Sequence, residues 1–62
     1  MNNEQIKIGM KVQVMTIVGK KEATVVRLVE KGILAADDNY EIIFGDGRKT
    51  ETIAGMMDEV QK

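Results

Sequence analysis

The chain has no cysteine, no proline, no histidine and no tryptophan, and a single Tyr and a single Phe among its 62 residues. Each absence removes a class of chemistry. Without Cys there is no disulfide, and without Cys or His there is no Cys/His zinc site, so one hydrophobic core must hold the fold. The same two gaps leave no His or Cys to act as base or nucleophile near neutral pH. A chain this short buries only about 60% of the surface its unfolded form exposes, which leaves little apolar material for an enclosed cleft. We therefore expect no catalysis, no cofactor and no resident metal. No run approaches the roughly 20 apolar residues of a membrane span, and the polar head from Met1 to Gln5 is unlike a secretion signal, so a cytoplasmic location is expected. Charge of one sign is also missing. Nine basic and ten acidic side chains leave a net charge of -1, which gives no overall field to attract nucleic acid or membrane.

What the chain does have is β-branched. Seven Val, seven Ile and four Thr stand against two Leu, a stock that suits pleated strands. No repeat, low-complexity tract or linker divides the sequence, so a single domain over 1–62 is expected, with residues 1–5 flexible. Ile6, Ile8, Met10, Val12 and Val14 alternate with polar residues, the period of a half-buried strand, with entry into the core expected at Ile8 or Met10. At Met15, Thr16 and Ile17 the apolar phase slips by one, which in a strand means either a bulge or the strand's end, and a bulge or bend is expected. Val18 to Glu22 read as the first turn and Ala23 to Glu30 as a second strand in mixed phase, partly covered on both faces. Ile33 to Ala36 fit either a short strand or a structured loop. Tyr40 to Phe44 predict another strand, and Gly45, Asp46, Gly47 and Arg48 a tight hairpin that returns as Lys49 to Ile53. In the tail, Ile53, Met57 and Val60 lie at helical spacing and predict one helical turn. Val60 alternatively belongs to a short last strand that closes the sheet onto the first.

Four or five short antiparallel strands with a tail turn resemble the SH3-like small β-barrel of Tudor and KOW domains. The stretch from Tyr40 to Gly47, with Glu51 and Ile53 following, is similar to the Tudor-type V-x-F-x-D-G hairpin. Gly9 to Val14 resembles the G-x-x-V-x-V opening strand, and Ala23 to Val26 the second. The resemblance implies an all-β antiparallel barrel that binds other macromolecules. Methyl-lysine reading by Tudor domains uses a cage of several aromatics. Here Tyr40 and Phe44, at i and i+4 of one strand, share a face of the sheet and read as a core pair. The KOW pattern, associated with ribosomal and transcription-elongation proteins, has further glycines at the first turn where this chain has only Gly19. The plasmid-encoded dihydrofolate reductases, also of this barrel class, build a pore shared between subunits, and Val12, Gln13, Val14 and Met15 resemble their pore-lining segment.

In an antiparallel meander alternate loops fall at the same end, so the first and third loops are expected to be neighbours. That would bring Lys20 and Lys21 near Arg48 and Lys49, against Glu22 and Asp46, and leave Glu30, Asp37 and Asp38 against Lys31 at the other end. Such lysines and arginines either stand solvated, protecting sheet edges, or form a basic tip for phosphate or an acidic protein surface. Asp37, Asp38, Asn39 and Glu41 lack the ligand count and spacing of a calcium loop and read as a turn. Five Met is a high number, and Met56 is expected to face outward, as core filler or as a partner or dimer contact. The expectation is thus a non-catalytic binding module, a small bacterial or phage accessory or regulatory protein docking on a larger protein of the nucleic-acid machinery. Lys20, Lys21, Arg48, Lys49 and Met56 are its candidate partner-binding residues. Direct low-specificity DNA or RNA binding through the basic tip is the first alternative and a subunit of an oligomeric enzyme the second. A homodimer through an exposed sheet edge is compatible with the first reading.

Overall fold

The computed structural model describes residues 3–34 and 36–60. Five antiparallel strands form one sheet: β1 (Lys11–Thr16), β2 (Gly19–Glu30), β3 (Asn39–Phe44), β4 (Lys49–Ile53) and β5 (Met57–Glu59). The spatial order is β4-β3-β2-β1-β5, a four-stranded meander whose last strand returns to the free edge of the first. A 3₁₀ turn at Ala54–Met56 makes that return possible. The expected helical turn and closing strand therefore both exist, one after the other, with Val60 just beyond the strand. A second 3₁₀ turn covers Asn3–Gln5, while residues 1 and 2, the rest of the head expected to be flexible, lie outside the described residues.

The chain enters the core earlier than the alternation of its first residues predicts. Ile6 is buried, whereas Ile8 is 59% exposed and Met10 only packs against the core from its side. The reason is a turn: the Met10 N–H donates to the Lys7 carbonyl at 3.2 Å, and the Gly9 N–H donates to the Val25 carbonyl at 2.8 Å. This breaks the period of two before β1 begins at Lys11.

The slip at Met15 to Ile17 is the end of β1 rather than a bulge. Thr16 pairs with Gly19 across the two residues Ile17 and Val18, and neither of these takes a positive φ. The Thr16 hydroxyl donates to the Gly19 carbonyl at 2.7 Å and accepts the Val18 N–H at 3.2 Å, so one side chain closes the loop from inside. Lys20, Lys21 and Glu22, expected in a turn, are strand residues in consequence.

The bulges lie in β2. Its pairing with β3 slips between Val25 and Arg27 and again between Leu28 and Glu30, leaving Val26 and Val29 as the extra residues. Each added residue moves the following side chains to the other face. Val25 and Leu28, three apart, therefore both lie opposite core residues of β3, Ile42 and Tyr40. That is the origin of the mixed phase of this strand.

The expected β3–β4 hairpin forms. The Phe44 N–H donates to the Arg48 carbonyl and the Gly47 N–H to the Phe44 carbonyl, with Gly47 at φ +91, a conformation that strains any residue bearing a Cβ. Ile33 to Ala36 form no strand among the described residues, Ala35 lying outside them. Four of the five strands add to a single core: Val12 and Val14, Ala23 and Val25, Tyr40 and Ile42, and Met57, closed by Ile6 and Ala54, with Phe44 packed alongside. The inner positions of β4 are Thr50 and Thr52, paired with Ile42 and Tyr40, so the core thins out toward that edge.

Candidate functional site: a cation-rimmed groove at the hairpin end

The two hairpin tips stand side by side and enclose a groove of about 740 Å³. Its position follows from strand register. Val12 lies opposite Ala23, Val14 opposite Lys21 and Thr16 opposite Gly19, so the core face of the sheet continues past its last buried pair onto Lys21 and the hairpin loop. On the other side Ala23 pairs with Phe44, the last inward residue before the second hairpin. The groove is thus the uncovered end of the core. Phe44, with Ile17 and Val18, both largely exposed, forms its apolar lining.

Five charged residues, Lys21, Glu22, Asp46, Arg48 and Lys49, complete the lining. Asp46 accepts the Arg48 backbone N–H at 3.0 Å and its guanidinium Nε at 2.9 Å, an Asx turn reinforced by an ion pair. The Arg48 amide, then its guanidinium and, less strongly, the Lys21 ammonium hold the Asp46 carboxyl below the usual carboxylate range. Glu22 faces Lys11 at 3.7 Å. Both groove carboxylates thus have cationic partners, whereas Lys21 and Lys49 form no salt bridge among the described residues. An apolar trough lined by two lysines that are outside any salt bridge suits a ligand that is anionic outside and apolar where it touches Phe44.

Three of the five candidate residues gather here: Lys21, Arg48 and Lys49 line the groove. Lys20 and Met56 do not. Because Lys20 is in β2, it points to the face opposite its neighbour Lys21, and its ammonium sits 3.2 Å from Asp58 of β5. Met56 belongs to the 3₁₀ turn between β4 and β5, is 44% exposed, and lies off the groove. The apolar half of the site, Ile17, Val18 and Phe44, was missed by sequence reasoning. The signal available was the phase slip after Val14, which marks the strand end and puts the next two apolar residues on a loop.

The far end has different chemistry. Asp38 accepts the Gly32 N–H at 2.7 Å and the Tyr40 hydroxyl at 3.4 Å, and Asp37 accepts the Gly55 N–H at 2.9 Å. These carboxylates tie the β2–β3 loop to its own base and to the 3₁₀ turn, in keeping with the turn reading of this acidic run. Burial, then the adjacent Asp38 charge, push the Tyr40 phenol above its ordinary pKa. No group of three or more acidic or other ligating side chains is placed to hold a metal ion among the described residues. No helix of the described residues is long and apolar enough to cross a membrane.

Compared with known proteins, the chain matches no family model, no curated protein and no solved structure. The groove and its charges carry the functional argument alone.

Proposed function

We propose that the chain is a non-catalytic binding module of the SH3-like, Tudor-like barrel class, a cytoplasmic accessory or regulatory protein that docks on a larger protein of the nucleic-acid machinery. The groove between the hairpins takes an acidic segment of that partner, with an apolar side chain seated on Phe44. One observation carries the reading: Lys21 and Lys49 line an apolar trough without forming a salt bridge among the described residues, while the neighbouring Asp46 and Glu22 are each in an ion pair with another cation. The barrel class rests on the meander, the 3₁₀ turn and the return of β5 to β1.

Direct nucleic-acid binding has less support. Single-stranded binding stacks successive bases on several exposed aromatics, but Tyr40 is buried and the half-buried Phe44 offers a single platform. The oligomeric-enzyme reading rests on the segment from Val12 to Met15, whose two valines are core residues.

The test is a titration with synthetic peptides of alternating Glu and Leu, against all-Glu peptides and oligo-dT, at low and physiological salt. Preferential binding of the Glu/Leu peptide, reduced at least tenfold in Lys21→Glu/Lys49→Glu, is the expected result. Oligo-dT binding that falls steeply with salt would instead establish the nucleic-acid reading, and binding of none of the three probes refutes the site.

A further inference from the structure

The end of the molecule opposite the groove presents what the groove is built to receive. In the β2–β3 loop Ile33 is 76% exposed and Leu34 fully exposed. Leu34 has φ 61, the one non-glycine residue with a positive φ among those described. The loop is anchored all the same. Asp38 clamps Gly32, Asp37 clamps Gly55, and the Ala36 N–H donates to the Ile33 carbonyl at 3.1 Å. Two apolar side chains are thereby held out from a fixed base. In sequence they are flanked by Glu30, Asp37 and Asp38 against Lys31, so the apolar knob carries an acidic surround.

Knob and groove lie at opposite ends of β2, which runs from the Ile17–Val18 hairpin to the Ile33–Leu34 loop. Their formal charges are opposite in sign: Glu30, Asp37 and Asp38 against Lys31 at the knob, and Lys21, Arg48 and Lys49 against Glu22 and Asp46 at the groove. The net charge of -1 leaves little general repulsion between copies. We infer that the protein assembles head to tail, the Ile33–Leu34 knob of one copy entering the Ile17/Val18/Phe44 groove of the next, with its acidic surround against Lys21 and Lys49. This rests on the groove accepting an acidic, apolar segment, and it names a second copy of the chain as one such ligand.

Because the two patches differ, the contact is heterologous, and each added copy leaves one knob and one groove free. A contact made by one loop tip is small and correspondingly weak. It occupies the same groove as an external partner. Partner binding and self-association therefore exclude one another, and the assembly acts as a reservoir that a partner dissolves.

Sedimentation velocity on the full chain, from roughly 10 µM to 1 mM, reads this directly. Two variants separate the halves of the contact: Ile33→Ser/Leu34→Ser removes the knob, and Lys21→Glu/Lys49→Glu disables the groove. All four positions are exposed, and circular dichroism checks that the fold is kept. The wild type should gain mass with concentration beyond a dimer, and lose it on addition of salt. Each variant alone should remain monomeric, while an equimolar mixture should stop at a one-to-one dimer, since only one knob and one groove match. A wild type that is monomeric throughout, or stops at a dimer, overturns the inference, as does association that survives either variant or a mixture that fails to pair. If the wild type is monomeric yet the Glu/Leu peptide binds, self-assembly fails and the proposed function stands. If neither occurs, both fail.

Discussion

Met57 and Met56 are neighbours with opposite roles, and replacing each by Ala tests the architecture at the point where the last strand joins the edge of β1. Met57 opens β5, is 0% exposed and pairs with Val14. The strand it begins has only three residues in register with β1. Few backbone hydrogen bonds hold β5, so the buried Met57 side chain is its main anchor. Met57→Ala removes three heavy atoms from the centre of the core, and truncations of this kind cost about 2–5 kcal/mol. A single core in a chain of this size seldom supplies more than about 3–5 kcal/mol in total. The loss is therefore of the same size as the whole stability. With a urea slope of about 1 kcal/mol/M for so small a domain, the midpoint should fall by about 2 M or more, or the native baseline should vanish. Met56→Ala, at a position 44% exposed, should shift stability by less than about 0.5 kcal/mol. Met57→Leu, which conserves volume, should cost under about 1.5 kcal/mol and keep a measurable transition even where Met57→Ala does not. Urea titrations followed by far-UV circular dichroism and by the fluorescence of Tyr40 supply the curves. Equal midpoints for Met57→Ala and Met56→Ala would refute the placement of β5, and with it the closed end of the core.

Three further perturbations address the far loop and the groove. A Cβ at Gly55 would meet the Asp37 carboxylate at 2.7 Å, so Gly55→Ala should displace that carboxylate and cost about 1 kcal/mol. Asp37→Ala should cost a similar amount, and the double variant less than the sum of the two, as urea midpoints will show. The raised pKa of Tyr40 means that the unfolded chain ionises first as pH rises. Its contribution is complete below about pH 10 and is lost as pH climbs through the folded value, so melting temperatures from pH 8 to 12 should fall more steeply in the wild type than in Tyr40→Phe. Asp46 has the opposite sign. Its lowered pKa gives a contribution present above about pH 4 that disappears as pH falls through the folded value, and Asp46→Asn should flatten the acid limb of the same profile.

How much of this was legible in the residues depended on whether the deciding contact was local. The β3–β4 hairpin was readable because Gly45, Asp46 and Gly47 encode it themselves, through an Asx turn and a positive φ. The inward pairing of Tyr40 and Phe44 followed from the period of two alone. The alternation of Val12 and Val14 in β1 was readable too, but the turn that precedes it and the phase of β2 were not. Gly9 turns the chain because its N–H meets Val25, sixteen residues away, and the bulges at Val26 and Val29 exist only against β3. The site shows the same division. The meander rule places the two hairpins at one end, where Lys21, Arg48 and Lys49 line the groove. It could not separate Lys20 from Lys21, because that depends on whether the strand begins at Gly19 or at Ala23. With the earlier start, adjacent lysines face opposite sides, and one of them is taken up by Asp58.

The distribution of apolar side chains gives the last step. The core among the described residues holds nine residues, yet as many large hydrophobic side chains stand exposed, Ile17, Val18, Ile33 and Leu34 the most of all. Single exposed apolar residues are ordinary on protein surfaces. These four are not single: they fall as two adjacent pairs, one on the β1–β2 hairpin and one on the β2–β3 loop, at the two ends of the longest strand. Neither pair is held there by turn chemistry, since glycine or asparagine would close both loops at less cost. Thr16 and Asp38, polar residues beside each tip, instead do the work of fixing the loop and leave the apolar pair free to face outward. A domain with so small a core gains no stability from apolar groups left in water, so their value must lie in contacts outside the chain. Replacing all four by Ser should accordingly leave the urea midpoint almost unchanged while abolishing both peptide capture and self-association. A fall in the midpoint comparable to that of Met57→Ala would show instead that these tips belong to the core.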